Sequence, residues 1–167
     1  QTCALPILIT GLLLSSATRA DENPVTAEKL SDSVYVLFGQ GGNIAASVGE
    51  DGIYIIDDQF AKLSNDIKKT ISDLKPGSAE FVINTHHHGD HTGGNENFAK
   101  AGAHVIAHDN VHKRLEEKHG ANSDYLPRIS FGHDLKLHFN NEHAHVVHYA
   151  YAHTDGDSVI FFNNDNI

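Results

Sequence analysis

Residues 85–95 read THHHGDHTGGN, and the rest of the chain is interpreted outward from this stretch. Four histidines and one aspartate occupy the six positions from His86 to His91. The residues just before, Phe81 to Ile83, are strand formers, so the cluster follows a strand. Side chains alternate along an extended backbone. His86, His88 and Asp90 therefore share one side, and His87 faces the other as a pocket-wall or structural residue. Gly89 lets the chain turn, which brings His91 back beside Asp90. Imidazole nitrogens with a carboxylate suit zinc, and iron or manganese less strictly. The grouping predicts His86 and His88 on one ion, and Asp90 and His91 on a second. More ligands must come from elsewhere. His153, in AHTDGDS at the end of another strand pattern, is the candidate.

Around this cluster the chain is strands, then alternating strands and helices, then strands. VYVLF at 34–38, IAASV at 44–48 and IYII at 53–56 read as strands, the last two joined by the turn GEDG at 49–52. Gly41, Gly42 and Asn43 read most simply as a turn between strands. Leu63, Ile67, Ile71 and Leu74 lie on one helical face that Pro76 and Gly77 stop. A helix starting near Gly94 carries Phe98, and 104–107 is a strand. Asp109 is expected to cap a further helix with Val111 and Leu115 inward and Gly120 at its end. Leu135, Leu137 and Phe139, then Ala144 and Val146, then Val159 and Phe161, predict the inward faces of antiparallel strands with one wet face. The whole predicts an α+β or α/β fold, a mixed sheet with helices packed on it.

Composition bounds the function. Lys and Arg total 12 and Asp and Glu 22, a formal charge of −10, which excludes a sequence-independent nucleic-acid binder. The 167 residues suit one domain, and the single cysteine, Cys3, excludes an internal disulfide framework. ALPILITGLLL at 4–14 is shorter than the roughly 20 apolar residues of a membrane span. SSATRA and then Asp21 and Glu22 follow it, the pattern of a secretory signal peptide. The expectation is a signal peptide over 1–20, cut before Asp21 with Thr18 and Ala20 at the recognition positions, and a mature domain over 21–167. A cut after Ala17 is an alternative. The mature protein is then periplasmic or secreted. The first residue, Gln1, and the closing NNDNI predict a longer natural chain. Histidine, at 14, outnumbers Lys and Arg together. His104, His108, His112, His119, His133, His138, His143, His145 and His148 follow no compact ligand rule and are expected at ordinary exposed positions. Asp155 and Asp157 are expected to shape the turn after His153.

The sequence resembles the metallo-β-lactamase superfamily. His86-x-His88-x-Asp90-His91 matches its signature, and Asn84, Thr85 and Thr92-Gly93-Gly94-Asn95 match the usual neighbours. His153 with Thr154 matches the next motif, and Asp57, after the strand 53–56, matches the early aspartate. The resemblance covers about residues 30–162. It implies an αββα sandwich with metals at one edge. It assigns His86, His88 and His153 to a first zinc and Asp90 and His91 to a second. Asp57 then holds the metal loop by hydrogen bonds, and Asp90 orients the nucleophile and passes a proton to the leaving group. For Gly41, Gly42 and Asn43, a loop over the metal site is the alternative that family analogy offers. The family's remaining ligands, a bridging aspartate and a last histidine, fall beyond Ile167. The second half of the sandwich and the second metal site are therefore expected to be incomplete, with two zinc ions in the complete parent chain and one here.

The resemblance implies a hydrolase that uses metal-bound hydroxide on a small-molecule lactam, lactone, ester or thioester. His91 moves the chain away from the cysteine-using lactamases, toward the His-rich subclass, glyoxalase II-like thioesterases and lactonases. The alternative is a non-enzymatic, histidine-rich periplasmic zinc-binding protein. That reading predicts dispersed histidines, against which the 86–91 cluster argues.

Overall fold

The structure, a computed structural model, describes residues 24–167. The signal-peptide expectation over 1–20 lies outside the described residues. Ten strands form two sheets. The larger runs in the order β1 (Thr26–Lys29), β2 (Val34–Phe38), β3 (Ile44–Val48), β4 (Ile53–Ile56), β5 (Phe81–Ile83), β6 (His104–His108) and β7 (Ile129–Phe131). Its first four strands are antiparallel, and β4 through β7 are parallel. The smaller sheet is antiparallel, with β9 (Glu142–His148) between β8 (Asp134–Phe139) and β10 (Ser158–Phe162).

The chemistry of each strand assigns its faces. β4 is IYII and is buried throughout, as expected of a strand covered on both sides. Tyr54 and Ile56 point toward the smaller sheet. There they join Val34, Ile83, Ile106, Ala144, Val146 and Phe162 in a core between the sheets. Ile53 and Ile55 point the other way, toward helices. α1 (Ser64–Leu74) presents Ile67 and Ile71 to that face, preceded by a 3-10 turn at Ala61–Leu63. α3 (Asn95–Ala99) adds Phe98 to the same cluster. α4 (Asp109–His119) buries Val111 and Leu115 against Ala107 of β6. The described residues thus form a helix layer and two stacked sheets, and no helix of theirs is long and apolar enough to cross a membrane.

Three expectations are corrected. Val159 and Phe161 do not face inward: they are 55% and 42% exposed, and Phe162 is buried instead. The register explains this, because Ile160 pairs with Val146 and Phe162 with Ala144, the inward residues of β9. Asp109 does not cap α4. His108 does, accepting the Asn110 N–H on its Nδ1 at 3.1 Å. His108 is also buried, not exposed. β1 and β7 had no sequence signal. The strand β1 is TAEK, which lacks an apolar alternation and is held by its pairing with β2.

Candidate metal centre

The carboxyl ends of parallel strands β4 and β5 open into adjacent loops, the usual place for a site in such sheets. β4 ends at Ile56, and Asp57 follows with φ +64, a left-handed conformation that turns the chain sharply. Its N–H is donated to Ile83 O at 2.9 Å. β5 ends at Ile83, and the loop after it carries residues 84–88 into α2 (Gly89–Thr92). The turn expected at Gly89 is therefore one helical turn. It returns His91 toward the strand end, where its carbonyl accepts the Asp58 N–H at 2.9 Å.

Asp57 is the hub of this loop. It is 4% exposed, and its carboxylate accepts Thr85 N–H at 2.7 Å, Thr85 Oγ1–H at 2.8 Å and His91 Nδ1–H at 2.7 Å. Thr85 Oγ1, having donated to Asp57, is left to accept from His86 Nδ1 at 3.0 Å. One carboxylate thereby selects the tautomer of two histidines. Each ring carries a proton on Nδ1, and its neutral form turns a bare Nε2 toward the opening. Asp57 also holds the His91 imidazole above its ordinary pKa, through the hydrogen bond foremost. Burial pushes His86 the other way, to about 4, with the neighbouring His91 adding to the shift. His86 is thus neutral at pH 7, as a metal ligand must be.

Three nitrogens converge. His86 Nε2 lies 3.2 Å from His88 Nδ1, and His153 Nε2 lies 3.1 Å from the same atom. The three all fall within 4.8 Å of one another. A tetrahedral zinc with bonds of 2.0–2.1 Å needs its ligand nitrogens roughly 3.3–3.4 Å apart. The donors therefore fit zinc with small side-chain adjustment. His153 reaches the site from the loop between β9 and β10. Asp157 grips that loop, accepting the backbone N–H of His153 and Thr154 and the Thr154 hydroxyl. Burial alone would raise the Asp157 carboxyl, but those hydrogen bonds together carry it below its ordinary value.

Beside the triad, the His91 and His86 ring centroids are 4.1 Å apart, and His91 Nε2 lies 3.5 Å from Asp90 Oδ2. Asp90 is partly exposed at the mouth of the site. The glycine turn after β2 closes over this pair. A Cβ on Gly42 would sit 3.1 Å from His91 Cε1, and one on Gly41 would sit 3.1 Å from Phe60. Gln59, buried beneath, donates its side-chain amide to Gly42 O. On the other side, a cavity of about 390 Å³ is lined by His86, His153, Tyr149 and Val159.

All five sequence-predicted ligand positions and Asp57 thus lie around one opening, while His87 packs aside with a lowered pKa caused chiefly by burial. Sequence reasoning missed three contributors. Thr85 was visible only as a motif neighbour, and its relay role depends on side-chain geometry. Gly42 read chiefly as part of a turn, with a place over the metal site offered only by the family resemblance, and Gln59 acts across a distance in sequence and left no local signal. The remaining histidines lie elsewhere. His108 has both ring nitrogens engaged, by Gly132 O at 3.0 Å and by Asn110 N–H at 3.1 Å, and His112 Nδ1 contacts Pro127 O at 3.0 Å. Asp165 accepts Ser31 and Ser33 hydroxyls at 2.6 and 2.8 Å, a tie between chain segments.

Comparisons with known proteins identify the family and the fold. The family model described as the metallo-beta-lactamase superfamily matches residues 57–167. Among solved structures, the chain is similar to a metallo-beta-lactamase from Pontibacter korlensis, with 17% identity over 84% of this chain and 67% of that one, at a TM-score of 0.70. It is similar to a subclass B3 metallo-beta-lactamase of Bradyrhizobium japonicum, with 20% identity, 81% and 56% coverage and a TM-score of 0.69. A class B3 di-zinc metallo-beta-lactamase from an Alaskan soil metagenome gives 18% identity, 83% and 57% coverage and a TM-score of 0.71. The chain thus spans between 56% and 67% of the length of these three structures. No curated protein gives a significant sequence match.

Proposed function

The chain belongs to the metallo-β-lactamase superfamily, and from that membership we propose that it is a zinc-dependent hydrolase of small molecules with a lactam, lactone, ester or thioester carbonyl. The observation that carries the reading is the convergence of His86 Nε2, His88 Nδ1 and His153 Nε2. When bound there, zinc supplies a Lewis acid for a carbonyl oxygen and lowers the pKa of water to about 7.

The chain's own residues supply the rest. Asp57 and Thr85 keep His86 Nε2 unprotonated and aimed at the centre. Asp157 holds the His153 loop so that its ring meets the other two. His91 Nε2 and Asp90 form half of a donor set for a second ion, which makes the complete site dinuclear. Asp90, open to solvent at the mouth, accepts a proton from the attacking nucleophile and returns it to the leaving group. The apolar run 4–14 followed by small and acidic residues supports export to the periplasm or exterior. Mass spectrometry of the exported protein tests that part, and retention of residues 12–20 would refute it.

The central test uses metal-stripped protein. Zinc should bind at one tight equivalent per chain, and two tightly held ions would contradict the ligand assignment. His88→Ala should abolish that equivalent together with turnover of chromogenic lactam, lactone and thioester substrates. Tight zinc with no turnover on any of these would favour a zinc carrier. Unchanged binding in the variant would remove the basis of the proposal.

A further inference from the structure

A second pair of imidazoles meets on the outer face of the smaller sheet. His138 of β8 stands directly opposite His143 of β9 in the antiparallel register. Their Nδ1 atoms are 2.5 Å apart, with ring centroids at 4.6 Å and ring planes at 79°. Both side chains are exposed. Two nitrogens inside the usual N–H···N distance cannot both carry protons, so at least one lone pair faces the gap. Widening the gap to roughly 3.0–3.4 Å lets both nitrogens take one ion at about 2.0–2.1 Å. Only exposed side chains need move.

The backbone beneath the pair is tied down by hydrogen bonds. The strands are joined by Asn140 and Asn141, both left-handed at φ +58 and +56, the signature of a tight two-residue hairpin. Asn140 is anchored across the sandwich. Its N–H goes to Asp51 Oδ2 at 2.6 Å, and its side-chain amide goes to Ser47 Oγ at 3.0 Å. Glu142, 2% exposed, accepts the backbone N–H of His143 at 2.5 Å and of Asn164 at 2.9 Å. The side-chain amide of Asn163 is donated to His143 O. Ordering costs are therefore already met in the fold, which favours binding.

We propose that His138 and His143 form a second metal site, separate from the triad, for a divalent transition ion held by two imidazoles and otherwise open to solvent. Two nitrogen donors with open positions favour Cu2+ over Ni2+ and Zn2+ by intrinsic affinity. His145, the next outward histidine of β9, stands opposite Lys136 and not in the pair, and its Nε2 is held by Asp134 at 2.9 Å, so it serves as the control.

The test is a Cu2+ titration of the metal-stripped chain, followed by calorimetry and by the nitrogen hyperfine pattern in electron paramagnetic resonance. His86→Ala, His88→Ala, His91→Ala and His153→Ala together remove every imidazole of the first site, and one Cu2+ equivalent with two coupled nitrogens should remain. Adding His138→Ala or His143→Ala should weaken that equivalent at least tenfold and reduce the pattern to one nitrogen. His145→Ala should leave it unchanged. All three residues lie on a solvent-facing sheet surface, and circular dichroism confirms the fold of each variant. A remaining equivalent that ignores His138→Ala and His143→Ala, or that is lost equally in His145→Ala, would overturn the proposal.

Discussion

At the scale of single residues, Asp57 governs the site without facing the triad's centre. Its carboxylate serves three donors, and two of those contacts set histidine tautomers. Asp57→Asn is the informative substitution, because asparagine tolerates the left-handed backbone that Asp57 adopts. Thr85 N–H goes to Oδ1, while Thr85 Oγ1–H and His91 Nδ1–H share Oδ2, so an amide nitrogen in place of either oxygen faces at least one of these donors and cannot accept from it. The fold should survive while zinc affinity falls about 10–100-fold, the usual cost of losing such a support. A competing chelator measures the affinity, and circular dichroism measures the fold. Equal affinity in the variant would show that the site does not need both carboxylate oxygens of Asp57. At this scale the ligand cluster was readable in the sequence because the 86–91 group is local, and Asp57 because its place after an apolar strand matches the early aspartate of the family that the sequence resembles. Thr85 was not, since its contribution is a hydroxyl's second lone pair and depends on where Asp57 lies in space.

At the scale of elements, helix α4 shows a local rule met by an unexpected residue. His108 donates Nε2–H to Gly132 O at 3.0 Å and accepts Asn110 N–H on Nδ1, so only the neutral ring satisfies both partners. Burial, first of all, lowers its pKa, with the nearby His148 contributing. A histidine pKa depressed in the folded state gives stability that is fully present above its unfolded value of about 6.5. That stability is lost as pH falls through the lower folded value. His86, lowered to about 4, acts in the same direction between pH 6.5 and 4, whereas His91, raised by Asp57, opposes it. His108→Asn keeps a cap acceptor but removes the titrating ring. Its stability should fall less steeply below pH 6.5 than that of the unchanged chain, as read by urea unfolding at several pH values. Parallel profiles would refute this account of the cap. His108→Ala, lacking any cap acceptor, should cost about 1 kcal/mol at pH 7. The strands 34–38, 44–48, 53–56 and 81–83 were legible because apolar runs and turn residues bounded them. The faces of β10 were not, because SVIFF is apolar on both sides and its orientation is fixed only by its partner β9.

At the scale of the whole molecule, the site bridges two layers. His86 and His88 follow β5 of the larger sheet, and His153 precedes β10 of the smaller. The layers meet through Tyr54, which contacts Phe139 edge-on at a 5.8 Å centroid distance and stacks with Phe162 at 6.3 Å. They also meet at the metal loop, where Ser158 N–H is donated to Thr85 O at 2.9 Å. An ion held by His86, His88 and His153 therefore crosslinks the sheets at one edge while the aromatic core holds them elsewhere. A ligand that binds only the folded state stabilises it by RT ln(1 + [L]/Kd), about 2.7 kcal/mol at 100 times Kd. For a domain of this size that is a rise of on the order of 10 °C in the unfolding midpoint. His153→Ala removes the smaller sheet's only contribution to the triad. It should abolish most of that rise while leaving the metal-free midpoint within about 2 °C, because the His153 side chain is exposed and outside the core. Tyr54→Ala should do the reverse. It should lower the metal-free stability by about 3–5 kcal/mol, as for large buried aromatics, and in whatever fraction remains folded the zinc-dependent increment should persist. Calorimetric scans of both variants with and without zinc separate the two ties. A zinc-dependent rise undiminished in His153→Ala would mean that the ion does not join the sheets.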